Sequence, residues 1–117
     1  MDSYEQLVAA LASDGICCRF QSPDQLVVSA QAGAPWPDRS NSFWVTRATG
    51  VWHLFTWTPI GYLVPHRSDM ASVCRACMAH RTSAMYSVPP NIAQQFALRE
   101  LSDDEAEAVF SQMAKPA

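Results

Sequence analysis

Apolar residues recur at the spacing of one helical face near the start and near the end of the chain. Ser3 with Gln6, and Ser102 with Glu105, form capping-box patterns, in which a serine caps a helix and a Gln or Glu follows three residues later. The two stripes that follow comprise Tyr4, Leu7, Val8 and Leu11, and Ala106, Val109, Phe110 and Met113. We therefore predict helices over residues 3–13 and 102–114.

The middle of the chain has the composition of β-strands. Residues 16–20 and 25–29 flank a turn, and residues 42–47 and 51–57 are almost wholly β-branched or aromatic. A three-residue loop, Ala48-Thr49-Gly50, joins the latter two and places Gly50 where a left-handed backbone is needed. Residues 62–64 add a short strand. The pattern predicts an antiparallel meander.

Helical periodicity returns after the strands. Ser68 is the expected cap of a helix that ends near His80. The apolar stripe of this helix comprises Met70, Val73, Cys74, Cys77 and Met78. Pro89-Pro90 begins a short helix, and residues 97–101 are a candidate short strand. We predict a single α+β domain over residues 1–117, with one helix, an antiparallel sheet of about five strands (residues 16–64), and two or three helices packed on the sheet.

The central hairpin has two apolar faces. Pairing Arg47 with Val51 divides its residues by alternation. One face would comprise Phe43, Val45, His53, Phe55 and Trp57, and the other Trp44, Thr46, Trp52, Leu54 and Thr56. We expect the helices to pack on the first face. The face with Trp44 and Trp52 would be covered only in part, by the loop that contains Trp36 or by another molecule.

Composition narrows the class of protein. The chain of 117 residues is 49% hydrophobic and only 16% charged, with a net charge of −3. It has no basic excess, so we expect no nucleic acid partner. No apolar run approaches the roughly 18 residues that span a bilayer, and residues 1–5 lack the features of a signal peptide. We therefore expect a cytoplasmic protein that is not bound to a membrane.

The four cysteines can be assessed as metal ligands and as nucleophiles. Cys74, Cys77 and His80 are residue types that zinc prefers, but both thiols fall in an apolar helical stripe, where cysteine packs as a small hydrophobe. We expect no metal and no cofactor, with a zinc-stabilised domain as the weaker alternative. Cys17 beside Arg19 is the one candidate nucleophile. No pattern supplies its base, so the sequence favours a protein that is not an enzyme.

The long segment 30–41 holds Trp36 between Pro35 and Pro37, a stiff way to present an aromatic ring. We expect the ring either to fold back over the sheet or to be exposed as an anchor. His53, in the middle of a strand, is expected to be hydrogen-bonded within the fold rather than to act as a ligand.

These features favour a non-catalytic binding or protein–protein interaction module that uses the aromatic sheet face and the 30–41 loop. A protein partner or a second copy of the chain, as in a homodimer, would cover that face. The alternative is a small-molecule binding protein or enzyme with a pocket between the loop and the sheet. The candidate binding residues are Trp36, Trp44, Trp52 and His53.

Overall fold

A capped helix begins the described part of the fold. The computed structural model describes residues 3–29, 42–58, 60–79 and 88–113. Helix α1 (Tyr4–Ala12) starts after Ser3, whose hydroxyl accepts the N–H of Gln6 at 3.2 Å. Leu7 and Leu11 are fully buried, and this confirms the predicted apolar stripe.

One antiparallel sheet follows, and the spatial order of its six strands is their order along the chain. The strands are β1 (Cys17–Ser22), β2 (Gln25–Ser29), β3 (Ser42–Thr46), β4 (His53–Phe55), β5 (Gly61–Leu63) and β6 (Arg99–Glu100). The first five form the predicted meander. The chain then leaves the sheet through α2 (Met70–Ala79) and α3 (Pro90–Gln95), returns to pair β6 with β5, and continues into α4 (Asp103–Gln112).

The Cα radius of gyration is 13.0 Å, against about 13 Å expected for a compact domain of roughly this size. The fold is therefore the predicted single α+β domain. No helix within the described ranges is long and apolar enough to cross a membrane.

The register between β3 and β4 differs from the prediction by one residue. Trp44 pairs with Phe55, Val45 pairs with Leu54, and the last pair is Thr46 with His53. Paired residues lie on the same side of a sheet, so a slip of one residue exchanges the faces. The predicted division is wrong: Trp44 lies on the face of Phe55, whereas Leu54 lies on the opposite face.

The main core forms between one face of the sheet and the helices α1, α2 and α3. The strands contribute Leu26, Val28, Phe43, Val45 and Leu54, each fully buried. Helix α2 adds the predicted stripe of Met70, Val73, Cys74, Cys77 and Met78, all buried.

The second face of the sheet is covered by α4. Val27, Trp44 and Phe55 form a smaller cluster with Val109 of that helix. Ser102 caps α4 in the predicted capping box: its hydroxyl accepts the N–H of Glu105, whose carboxylate accepts the N–H of Ser102. Such a cap is worth about 1 kcal/mol. Helices thus pack on both faces, which explains why both faces of the central hairpin are apolar.

The residue that caps α2 differs from the predicted one, Ser68. Asp69, not Ser68, caps this helix, since its carboxylate accepts the N–H of Ser72 at 3.3 Å and the hydroxyl of Ser72 at 2.7 Å. The hydroxyl of Ser68 instead donates to the carbonyl of Phe96 at 2.6 Å. Ser68 therefore connects the turn before α2 to the end of α3.

Candidate binding site

Trp44 belongs to an aromatic stack beneath α4. Its ring lies 4.5 Å from that of Phe55 at an interplanar angle of 13°, and Phe110 of α4 lies 5.0 Å from Phe55. Trp44 is only 5% exposed within the single chain. Its burial requires no second molecule.

His53 lies on the same face as Trp44, two pairs further along the hairpin. It is 5% exposed, and its Nδ1 is 3.4 Å from the hydroxyl of Thr49. Burial lowers the pKa of His53, so the neutral imidazole is the favoured form at neutral pH. The histidine is hydrogen-bonded within the fold, as the sequence predicts.

Trp52 lies on the other side of the sheet, in the main core. The edge of its ring meets that of Tyr4 at a centroid distance of 5.5 Å, and the guanidinium of Arg47 lies over its face at 5.5 Å. Trp36 and the 30–41 loop fall outside the described residues. The structure therefore brings Trp44 and His53 to one face, but it does not bring Trp52 to them.

A cavity of about 190 Å³ opens beside Trp52, between the β3–β4 loop and the turn that precedes α2. Arg47 and His66 supply its basic groups, and Ser68 supplies a hydroxyl. The lining also includes Trp52, Val64, Pro65 and Met70, but most of the surface that faces the cavity is polar. The cavity thus brings a guanidinium, an imidazole and a hydroxyl to one concave, mostly polar surface.

Local backbone structure holds both sides of this cavity in place. Gly50, with a φ of +89°, closes the loop through an N–H bond to the carbonyl of Arg47 at 3.0 Å. On the other side, the N–H of Val64 donates to the carbonyl of Trp52, and the N–H of Ser68 donates to that of Pro65. The left-handed backbone predicted at Gly50 is confirmed.

Tyr4 connects α1 to the cavity. Its hydroxyl accepts the backbone N–H of Arg47 at 2.8 Å and donates to the carboxylate of Asp24 at 3.2 Å. Burial raises the pKa of Tyr4, so the hydroxyl keeps its proton at neutral pH. A residue 43 positions earlier in the chain therefore fixes the backbone that carries the guanidinium.

The thiols have the character of core groups. Cys74 and Cys77 are fully buried on α2, and Cys18 is partly buried against the main core. Burial raises the pKa of Cys18 and of Cys77 to about 12, and that of Cys74 well above its usual range. The thiolate, which is the reactive form, is therefore disfavoured at all three positions.

Among the described residues, no group of three or more His, Cys, Asp or Glu side chains is placed to hold a metal ion. His80, the third residue of the candidate zinc motif, lies outside those residues. Comparison with known protein families, curated proteins and solved structures gives no match.

Sequence reasoning did not place Arg47 and His66 at a cavity. One signal was present, since Arg47 is a charged residue at the end of an otherwise uncharged segment and precedes Trp52 by five positions. The contribution of His66 depends on the chain returning from β5 to the side of this loop, and no local spacing encodes that return.

Proposed function

We propose that the chain is a small, non-catalytic binding protein whose ligand site is the Arg47 cavity. The observation that carries the proposal is the placement of Arg47 over Trp52 at a concave, mostly polar surface. This is the small-molecule alternative from the sequence, with its pocket moved to the other face of the hairpin from Trp44 and His53.

The size of the cavity sets the size of the ligand. Its volume of about 190 Å³ is below the range of roughly 300–1,000 Å³ typical of sites for drug-sized molecules. The site would therefore take a single ring or a short chain, or one end of a longer molecule.

The cysteines support both the absence of thiol catalysis and a cytoplasmic location within this proposal. Raised pKa values keep the Cys18, Cys74 and Cys77 thiols protonated. All four cysteines of the chain are free thiols, which is the usual state in a reducing compartment.

Amide chemical shifts in ¹⁵N-labelled protein test the site. A panel of single-ring fragments, both neutral and charged, should shift the amides of Val51, Ser68 and Met70 and leave that of Val109 unchanged. Val51→Trp should fill the cavity and abolish these shifts, whereas Asn91→Trp, at an exposed position of α3, should preserve them. If no fragment shifts the cavity amides, the proposed site is wrong.

A protein partner is the second candidate, and the exposure of Phe110 favours it. This ring continues the buried stack of Trp44 and Phe55 but remains 37% exposed on α4. Sedimentation velocity over a hundredfold range of concentration tests the simplest case, a second copy of the chain. A rise in mass that Phe110→Ser removes, and Phe20→Ser at a second exposed aromatic position does not, would support this face.

A further inference from the structure

We infer that α4 is a lid that opens from the sheet as a unit while the main core stays folded, and that protonation of His53 favours the open form. Opening would expose the aromatic surface of Trp44 and Phe55 that α4 covers. The lid lies on the opposite face of the sheet from the Arg47 cavity, so neither proposal depends on the other.

Helix α4 buries far less of its surface than a helix of equal length in the main core. Both α2 and α4 have ten residues. Six residues of α2 are buried, whereas Val109 is the one buried residue of α4. Phe110 remains 37% exposed, although its ring lies 5.0 Å from that of Phe55. An element with few buried apolar contacts opens at a lower free energy than the whole fold.

The polar contacts of α4 do not hold it on the sheet. Within the described residues, its hydrogen bonds and ion pairs reach, outside the helix, only its two caps and Arg99. The ion pair of Arg99 with Glu105 joins side chains that are 55% and 42% exposed, and pairs at such exposure contribute little. Helix α4 can therefore leave the sheet without breaking a buried polar contact.

Separation from the sheet would unfold α4 as a whole. Isolated helices shorter than about 12–15 residues are marginal in water, and α4 has ten. Its capping box stabilises only the first turn. The open form therefore exposes the amides of residues 106–112 together, whereas fraying would expose only those of the last turn.

His53 lies in a row of side chains that ends at the start of α4. His53 pairs with Leu63 of β5, and Leu63 pairs with Arg99 of β6, so the three side chains lie on the same face. The guanidinium of Arg99 then donates to the carboxylate of Glu105, in the first turn of α4, at 2.9 Å. His53 is 5% exposed, and opening of α4 would admit water to this row.

The closed form disfavours a charged imidazole. Burial lowers the pKa of His53, and the positive charge of Arg99 acts in the same direction, whereas a hydrogen bond with the backbone of Val51 and the charge of Glu105 oppose it. The closed form therefore binds fewer protons at this group than the open form does. Its stability is complete above the ordinary pKa of 6.5 and decreases as the pH falls.

Amide hydrogen exchange in ¹⁵N-labelled protein tests the lid, with protection factors that correct for the intrinsic exchange rate at each pH. At pH 7.5 the amides of residues 106–112 should share protection factors at least about tenfold lower than those of Cys74 and Cys77 in α2. Between pH 7.5 and 5.5 the protection of α4 should fall by up to about tenfold, the limit for one proton taken up at a pKa near 6.5. His53→Gln should remove this fall, and His66→Gln, at an exposed histidine before α2, should retain it.

Three results would overturn the inference. Equal protection of α4 and α2 at both pH values would show that α4 does not open separately. Lower protection of α4 without a pH response would show that opening is not coupled to a histidine, and a response that persists in His53→Gln would exclude His53. If His53→Gln does not fold, the other proteins still decide: a response with a midpoint near pH 6.5 in both the wild type and His66→Gln supports the lid, and its absence from either refutes it.

Discussion

Gly61 lies directly beneath the ring of Phe55, so even the methyl group of an alanine at this position is expected to destabilise the packing on the second face of the sheet. Phe55 and Gly61 are paired across β4 and β5. A Cβ added at Gly61 would lie 2.3 Å from Cε1 of Phe55 and less than 3.0 Å from two further ring atoms. Gly61→Ala therefore forces the ring out of its present position against Trp44 and Phe110.

Three contributions determine the change in the free energy of unfolding that Gly61→Ala causes. Overpacking a core costs about 1–3 kcal/mol, and losing the stack with Trp44 adds about 0.5–1.5 kcal/mol. Replacing glycine by alanine within a strand by itself stabilises the fold by about 0.5–1 kcal/mol. The expected net loss is about 2 kcal/mol in the free energy of unfolding, or a fall in Tm of about 8 °C for a chain of this length.

Urea unfolding of a double-mutant cycle measures this directly. Phe55→Leu removes Cε1 and Cζ, two of the three ring atoms that the new Cβ would meet. In that background Gly61→Ala should be neutral or slightly stabilising, with a coupling energy of about 1.5 kcal/mol or more. Equal losses in both backgrounds, or no loss in the wild type, would refute the role given to this contact.

Three further predictions concern the two cores. Cys77→Ser should lower the free energy of unfolding by about 1–3 kcal/mol, because a hydroxyl replaces a fully buried thiol. Cys17→Ser, at a partly exposed position, should change the free energy of unfolding little. Equal effects of the two substitutions in urea melts would contradict the core role of Cys77. Trp44→Ser and Trp52→Ser should each cost about 3–5 kcal/mol, and retention of full stability by either variant in the same melts would show that its ring is not core. Burial lowers the pKa of His53 from its ordinary value of 6.5, so the unfolded state binds more protons at this group than the folded state does. The free energy of unfolding should therefore fall as the pH drops from 7.5 to about 5.5. The free energy of unfolding of the His53→Gln variant should fall less over that pH range. An identical pH profile in the variant and the wild type would show that the histidine is not responsible.

Capping and periodicity predicted the elements of this fold well because they are local. The serine caps at Ser3 and Ser102 satisfy N–H groups three residues later, within a single turn. The apolar stripe of α2 is buried in full for the same reason, since helical spacing alone places its side chains on one side. Neither inference depends on where the helix packs.

The faces of the sheet could not be predicted in this way. In a hairpin with one polar face, a slip of one residue would bury charges, and the pattern would select the correct register. Here Trp44 and Val45 are both apolar, as are Leu54 and Phe55, so either register buries hydrophobic side chains. The choice depends on Gly61 and on α4, which are distant in sequence from the loop at Gly50.

The position of α4 at the end of the described fold has a consequence for synthesis of the chain on the ribosome. The residues of β2, β3 and β4 leave the ribosome well before α4, and among the described helices α4 alone contributes a buried residue to the cluster of Val27, Trp44 and Phe55. While translation is incomplete, a sheet already paired between neighbouring strands would expose this aromatic surface to solvent. Nascent chains are therefore most prone to association just before residues 103–112 emerge.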